Sequence, residues 1–271
     1  MRFDMARHPE EGLRMLRWDV VDMAQRSGHV ASALSCLDML AAVYFGSLNI
    51  SPANHQAEDR DRFILSKGHA AMAHYAVLAR AGFFDPALLH YYCDSTCCLS
   101  EHPMPGELPG VELAAGSLGH GLSFGVGLAY GLRLKSLPAR VFVLLGDGEC
   151  DEGSVWEAVA AAKAHRLDNL TALVDWNGYQ ACGRCEDISP GLSLPSIWSG
   201  FGWETEIREG HNFQALVDSF ARANAPGQPR VILCHTIKGG GVDFMEGDLE
   251  WHYRPVRGAD RERARRSLCR A

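Results

Sequence analysis

One carboxylate and one side-chain amide, set apart by a fixed stretch of chain, carry the first chemistry that can be read. Gly146-Asp147-Gly148-Glu149 is followed after 28 residues (149 to 176) by Asn177. A carboxylate, an amide oxygen and a nearby backbone carbonyl are hard ligands. They suit Mg²⁺ or Ca²⁺, with phosphate oxygens completing the shell. The glycines flanking Asp147 let a phosphate come close to the backbone. Gly-Asp-Gly alone is also common turn chemistry, so the flanking elements decide. Arg140 to Leu145 reads as a short buried strand, Gly153 to Arg166 as a helix, and Leu170 to Val174 as a second strand ending in Asp175-Trp-Asn-Gly178. This βαβ order puts Asp147 and Asn177 at the carboxyl ends of successive strands, the edge where open α/β sheets bind ligands.

Four histidines add a second kind of chemistry. Ser27-Gly-His29, Ser66-Lys-Gly-His69, Ser100-Glu-His102 and Glu250-Trp-His252 stand in loop-like settings. Each alone is more often structural or superficial than catalytic. A ring that titrates near neutrality suits proton transfer to and from a hydroxyl. Cys182-Gly-Arg-Cys185 is a lone CxxC, and Cys93, Cys97 and Cys98 lie close together. A zinc site wants two spaced pairs, so buried or incidental thiols are the expectation.

The elements that must position these groups follow from periodicity. Residues 9 to 26 carry apolar positions at helical spacing. Leu34 to Tyr44 reads as a buried helix, Arg62 to Leu65 as a strand, and Ala70 to Ala81 as a helix apolar on both sides. Glu101 to Gly116 is a Pro/Gly-rich loop of the length that is often functional. Gly119 to Leu134 is a helix rich in small residues, whose glycines each cost about 1 kcal/mol against alanine; close approach of another helix or subunit would offset that. Beyond it, 141–145, 154–165, 170–174, 212–223 and 230–234 alternate strand and helix. That alternation predicts a parallel sheet with helices on both faces. No interior linker or repeat is evident, so residues 1–271 read as one domain.

Composition narrows the classes. The net charge of −7 over 271 residues argues against a nucleic-acid footprint, and the basic tail Arg261 to Arg270 reads as an exposed helix end. No apolar run approaches the roughly 20 residues of a membrane helix. The stretch Met1 to Pro9 lacks an apolar signal core. Nine cysteines, an odd number in a chain of this size, fit a reducing cytoplasm.

Taken together, these motifs resemble the N-terminal, diphosphate-binding half of transketolase, a thiamine diphosphate enzyme. The resemblance covers nearly the whole chain. Its carriers are Phe63-Ile-Leu-Ser-Lys-Gly-His-Ala70, Gly116-Ser-Leu-Gly-His-Gly-Leu-Ser123, Gly146-Asp-Gly-Glu-Cys-Asp-Glu-Gly-Ser-Val-Trp-Glu157, and Thr236 to Glu246 with Glu250-Trp-His252, in the family's order. The resemblance implies a thiamine diphosphate-binding α/β fold and a metal held by the side chains of Asp147 and Asn177 and the carbonyl of Tyr179. It places Gly148, His69 and His252 near the diphosphate, and Gly116 and Leu118 along the aminopyrimidine. Glu152 would sit in a subunit contact, and His29, His102 and His252 would reach substrate hydroxyls. His102 matches the ring that reads the hydroxyl of a transferred two-carbon unit. That favours ketol transfer over the alternative, a 2-oxo-acid dehydrogenase-like component passing a two-carbon unit to a thiol or carrier. Intact ligands and histidines argue against a silent scaffold. The cofactor would supply the carbanion chemistry and the protein binding, orientation and electrostatics.

The family's pyrimidine-binding half and its activating carboxylate have no counterpart in these 271 residues. The resemblance therefore implies either a fragment or one subunit of a split transketolase, and the split subunit is the expectation. A C-terminal partner subunit would complete the site, in a heterotetramer with two copies of each chain. Two smaller departures concern the sugar end. Ser27-Gly-His-Val-Ala31 lacks the Pro-Gly that usually follows the family's Gly-His, and Tyr253 follows His252 where glycine is usual. Tyr253 would narrow the donor site, and both departures leave the ordinary pentose-phosphate substrates an open question, with a modified sugar or a carrier-bound acceptor also open.

Overall fold

The computed structural model describes residues 5–269. The beginning of the Met1–Pro9 stretch and Arg270 of the basic tail lie outside them. In chain order the strands are β1 (Arg62–Leu65), β2 (Val141–Gly146), β3 (Leu170–Trp176), the short β4 (Tyr179–Gln180) and β5 (Gly183–Arg184), β6 (Glu204–Glu209) and β7 (Arg230–His235). Five of them form one all-parallel sheet in the order β1-β2-β3-β7-β6, and β4 and β5 pair as an antiparallel hairpin.

The central strands are apolar on both sides, as a sheet covered on both faces requires. Phe63, Leu65, Phe142, Leu144, Leu173 and Ile232 join one core, and Ile64, Val141, Val143, Leu145, Ala172, Val174 and Leu233 join the other. The first face is covered by α1 (Pro9–Met23), α2 (Val30–Ala42) and α3 (Ala71–Ala81), the second by α4 (His120–Leu134) and α5 (Gly153–Ala164). After the single turn α6 (Cys185–Ile188), α7 (Leu194–Gly200) packs Trp198 on the second face, and α8 (Phe213–Ala221) packs Phe220 on the first. The last helix, α9 (Ala259–Leu268), lies on α1.

Several expectations are adjusted. Helix α2 starts at Val30, before the expected Leu34, and passes into a π turn, Val43–Ser47. Val30–Ser47 is an 18-residue run of mean hydropathy 1.5, longer and more apolar than the sequence reading allowed, and 83% of it is buried inside the protein. It is a core helix, whose α2 part, Val30–Ala42, is fully buried because α1, α3 and α8 surround it. Strand β6 was not expected. Its sequence, Glu-Thr-Glu-Ile-Arg-Glu, lacks an apolar pattern because it is a charged edge strand with a single neighbour, β7. The tail helix α9 is only half exposed, since Ala264 and Leu268 are buried and Arg261 lies over the Trp18 ring. On α4, Gly125 fits against the chain's own sheet and Gly121 against Ser66 just past β1, rather than against another helix or subunit. A Cβ at Gly125 would meet Val143 Cγ2 at 2.5 Å, whereas Gly127 and Gly131 face open space.

Candidate active site

The carboxyl edge of the sheet gathers the polar residues. Strand β1 runs into Ser66-Lys67-Gly68-His69, β2 into Asp147-Gly148, β3 into Asn177, and β7 into Thr236 and Lys238. Of these, Lys67, His69, Asp147, Gly148, Asn177 and Lys238 line a cleft of ≈ 340 Å³ together with residues of the loops before α2, α4 and α9. Every residue picked out from sequence as a ligand or catalytic group is on its wall: His29, His69, His102, Gly116, Leu118, Asp147, Gly148, Asn177, Tyr179 and His252. Glu152 and Tyr253 stand on it as well.

The floor is a satisfied ion pair. Lys67 donates to Asp175, and the same carboxylate accepts from Ser35 Oγ (2.6 Å), Asn177 Nδ2 (3.1 Å) and the Thr236 hydroxyl. Both charges are inaccessible, and burial works against each. Their mutual attraction wins, so Asp175 is held below the usual carboxylate range and Lys67 above the usual ammonium range.

Asp147 and Asn177 are tied together without being used up. Asp147 accepts from Gly148 N (2.9 Å) and Gly178 N (2.6 Å), and Asn177 Oδ1 accepts from Tyr179 N (3.0 Å). A carboxylate has about four acceptor sites and an amide oxygen two, so lone pairs remain for a cation. Burial, and then the neighbouring Asp175 charge, push Asp147 up to about 6, a cost that a cation would relieve. No group of three or more His, Cys, Asp or Glu side chains suited to a metal occurs among the described residues. A cation here must therefore draw on an amide, a carbonyl and phosphate oxygens, the donor set a Mg²⁺–diphosphate uses. A Cβ on Gly148 would meet Gln180 Cβ at 2.5 Å, so the hairpin lies directly on this turn.

Opposite stands a cation without a carboxylate. Lys238 is buried, with Nζ 3.1 Å from His252 Nδ1 and 3.5 Å from Ser32 Oγ. Burial, and then the Lys67 charge, pull it down to about 8. An ammonium only donates, so His252 Nδ1 accepts and its ring proton sits on Nε2. Burial and the Lys238 charge lower His252 to about 3, and burial with Lys67 holds His69 well below its ordinary value. Burial also lowers His29, with Glu101 acting the other way. All three shifts favour the neutral ring relative to an ordinary histidine, burial first and then the neighbouring lysines and rings. Ring centroids are 5.1 Å apart for His29 and His252, and 5.4 Å for His29 and His69. His29 holds a left-handed φ of 66°, fixed by its N–H donating to His252 O at 2.8 Å, and its Nδ1 is buried without a partner. Strain of this kind collects at functional sites. His102 packs over Gly116, 3.4 Å from the site of a Cβ there.

Lys67, Lys238, Ser32, Glu149 and Asp175 were not singled out from sequence. The two lysines sit in motifs already quoted, and the available signal was a lysine among glycines just past an apolar strand. Glu149 accepts from Ser66 Oγ, Gly119 N and Gly146 N, clipping three of the cleft's loops together. All nine cysteines are free. Cys36, Cys150 and Cys234 are buried and the other six are partly or fully exposed, which fits the expectation of buried or incidental thiols. The Cys185 thiol lies against Asp147, and burial with that carboxylate pushes it up to about 12.

A parallel sheet with a phosphate-ready carboxyl edge, an Asp–Asn pair and a histidine wall defines a thiamine diphosphate-binding α/β chain. The family model for the transketolase thiamine diphosphate-binding domain matches residues 7–270. The chain belongs to the transketolase family, as an N-terminal subunit. It is 37% identical over 229 residues to one subunit of the apulose-4-phosphate transketolase of Phocaeicola vulgatus, covering 84% of this chain and 81% of that one. It is 40% identical over 226 residues to the 6-deoxy-6-sulfo-D-fructose transketolase subunit SqwG of a Clostridium species, covering 83% and 82%. The solved transketolase from Leishmania mexicana superposes with a TM-score of 0.89 at 24% identity, over 96% of this chain and 41% of that one. The chain thus spans about two-fifths of that solved transketolase.

Proposed function

We propose that the chain is the diphosphate-binding subunit of a two-component transketolase that moves a two-carbon ketol unit from a ketose to an aldehyde, with thiamine diphosphate and Mg²⁺ (or Ca²⁺). The observation that carries this reading is the pairing, in one cleft, of an uncompensated cation, Lys238, with the cation-ready Asp147 and Asn177 beneath a wall of histidines.

Asp147 and Asn177 would hold the metal by side chain and Tyr179 by its carbonyl. Gly148, His69, His252 and Lys238 would hold the diphosphate, while Gly116 and Leu118 line the heterocycle. When bound, thiamine diphosphate supplies the carbanion centre that ketose cleavage needs. His252 presents Nε2–H as a hydrogen-bond donor, because Lys238 engages its Nδ1. His29 and His102 orient the sugar hydroxyls, and the unpaired Nδ1 of His29 is a site where a hydroxyl proton can be held. Anion binding at Lys238 offsets part of the charge that depresses His252. The sugars for which the relatives are named differ from one another, so the donor here is proposed only as a ketose.

Further parts of the proposal concern assembly. Residues 1–271 act as one diphosphate-binding domain, which the docking of α9 onto α1 supports. A C-terminal subunit with the pyrimidine-binding domain completes the site, two copies of each chain forming a heterotetramer. The outward face of α4 (Phe124, Tyr130 and Leu134, all exposed, beside Gly127 and Gly131) and Glu152 are the proposed contacts. Free thiols favour the cytoplasm. The test is to co-purify the partner chain and screen donors and acceptors for ketol transfer. The complex is expected to turn over and this chain alone not to. Full activity of the isolated chain would refute the shared site.

A further inference from the structure

Outside the cleft, a second polar cluster packs against the loop that carries Lys238. Asp38, on α2, is fully buried and accepts from Arg17 Nη2 at 2.9 and 2.7 Å. The same carboxylate lies 2.7 Å from His211 Nδ1, and His211 Nε2 accepts the Ile237 N–H at 2.8 Å. A backbone N–H only donates, so Nε2 is the bare nitrogen and the ring proton sits on Nδ1, toward Asp38. The carboxylate thus fixes the tautomer that can grip the loop, as partners behind metal-bound histidines do. His211 reaches this place because it follows β6, whose pairing with β7 brings the two strand ends side by side.

The loop is shaped to accept the grip. Gly239 and Gly241 have φ of 80° and 89°, a backbone that favours glycine. A Cβ at Gly240 would meet His211 Cε1 at 2.8 Å, and one at Gly241 would strike the Arg17 side chain. On the inner side Gly239 N donates to Ala31 O at 3.0 Å. The segment is wedged between α2 and the His211 ring, and the gripped residue, Ile237, immediately precedes Lys238.

We infer that Arg17, Asp38 and His211 form a clamp whose task is to position Lys238 at the anion end of the cleft. His211 and Asp38 are positioning residues that touch no substrate. The inference rests on the proposed reading that Lys238 meets the diphosphate. Without the Ile237 bond the residue just before Lys238 loses its anchor, leaving the Ala31 bond at Gly239 and the 3.4 Å Arg17 Nε bond to Gly240 O further along the loop, and the Lys238 ammonium is less well pre-organised for an anion.

The test titrates the full chain with inorganic pyrophosphate plus Mg²⁺ by calorimetry, with thermal unfolding of each ligand-free variant as the folding control. Lys238→Met is expected to weaken binding by about 100-fold. His211→Ala is expected to weaken it about tenfold, the usual scale for a partner behind a ligand. His211→Gln, whose amide oxygen can still accept the Ile237 N–H, should bind within about threefold of the parent. Parent-like binding by His211→Ala, with Lys238→Met impaired, overturns the clamp alone. Parent-like binding by Lys238→Met overturns the reading beneath it. If His211→Ala does not fold, His211→Gln against His211→Asn decides, since the shorter amide keeps only the Asp38 bond. Equal affinities for those two overturn the clamp.

Discussion

Two regions of one cleft hold buried lysines in opposite states. At the floor, Lys67 faces Asp175, and each holds the other charged. On the wall, Lys238 faces His252 and Ser32, neither of them anionic, and is pulled down to about 8. The first region is finished by the chain itself and serves architecture, joining the end of β1 to the end of β3. The second is left incomplete, which is how a site for an anion looks before the anion arrives. The same contrast separates Asp175, held low, from Asp147, pushed up to about 6.

The largest effect expected is at the floor. Lys67→Met strands a buried carboxylate and should cost about 3–5 kcal/mol of stability, read as a lower denaturant midpoint with or without ligand. A loss below about 1 kcal/mol would break the comparison. Lys238→Met should do the reverse. Ligand-free stability is kept or raised by up to about 2 kcal/mol, since an uncompensated buried charge is removed, while pyrophosphate affinity collapses.

The pH dependence sharpens the contrast. Lys238 lies below its unfolded value, so its burial penalty is in force at pH 7 and fades as pH rises through about 8. Its contribution to stability should therefore rise between pH 7 and 10, and Lys238→Met should lack that rise. For Asp147 the relevant titration is at about 6, and a protonated carboxylate does not ligate. Mg²⁺ affinity of the ligand-free chain should fall about tenfold per pH unit below that point, whereas an unchanged affinity at pH 5 would remove Asp147 from the metal site. The smallest effects lie on α4. Gly127→Ala should add about 1 kcal/mol of helix stability in open space, and Gly125→Ala should destabilise by collision with Val143; thermal unfolding of the two variants separates them.

What was legible in the sequence was local. Gly146–Gly148 and Asn177 sit directly at strand ends, so a strand pattern and a short motif place them. The histidines were legible as members of motifs, but the lowering of His29, His69 and His252 was not, because it arises from burial and then from Lys67 and Lys238, brought in from distant segments. Strand β6 stayed hidden because a charged edge has no apolar period, and His211 stayed hidden with it. The clamp joins positions 17, 38, 211 and 237, a juxtaposition that only the folded sheet creates.

The central claim is that Lys238 waits for an anion. The direct measurement is the titration of its side-chain amine by NMR on isotope-labelled chain, with and without Mg²⁺ and pyrophosphate. A midpoint near 8 is expected in the ligand-free chain, with a clear upward shift when the anion binds. A midpoint that binding leaves unmoved would contradict the claim.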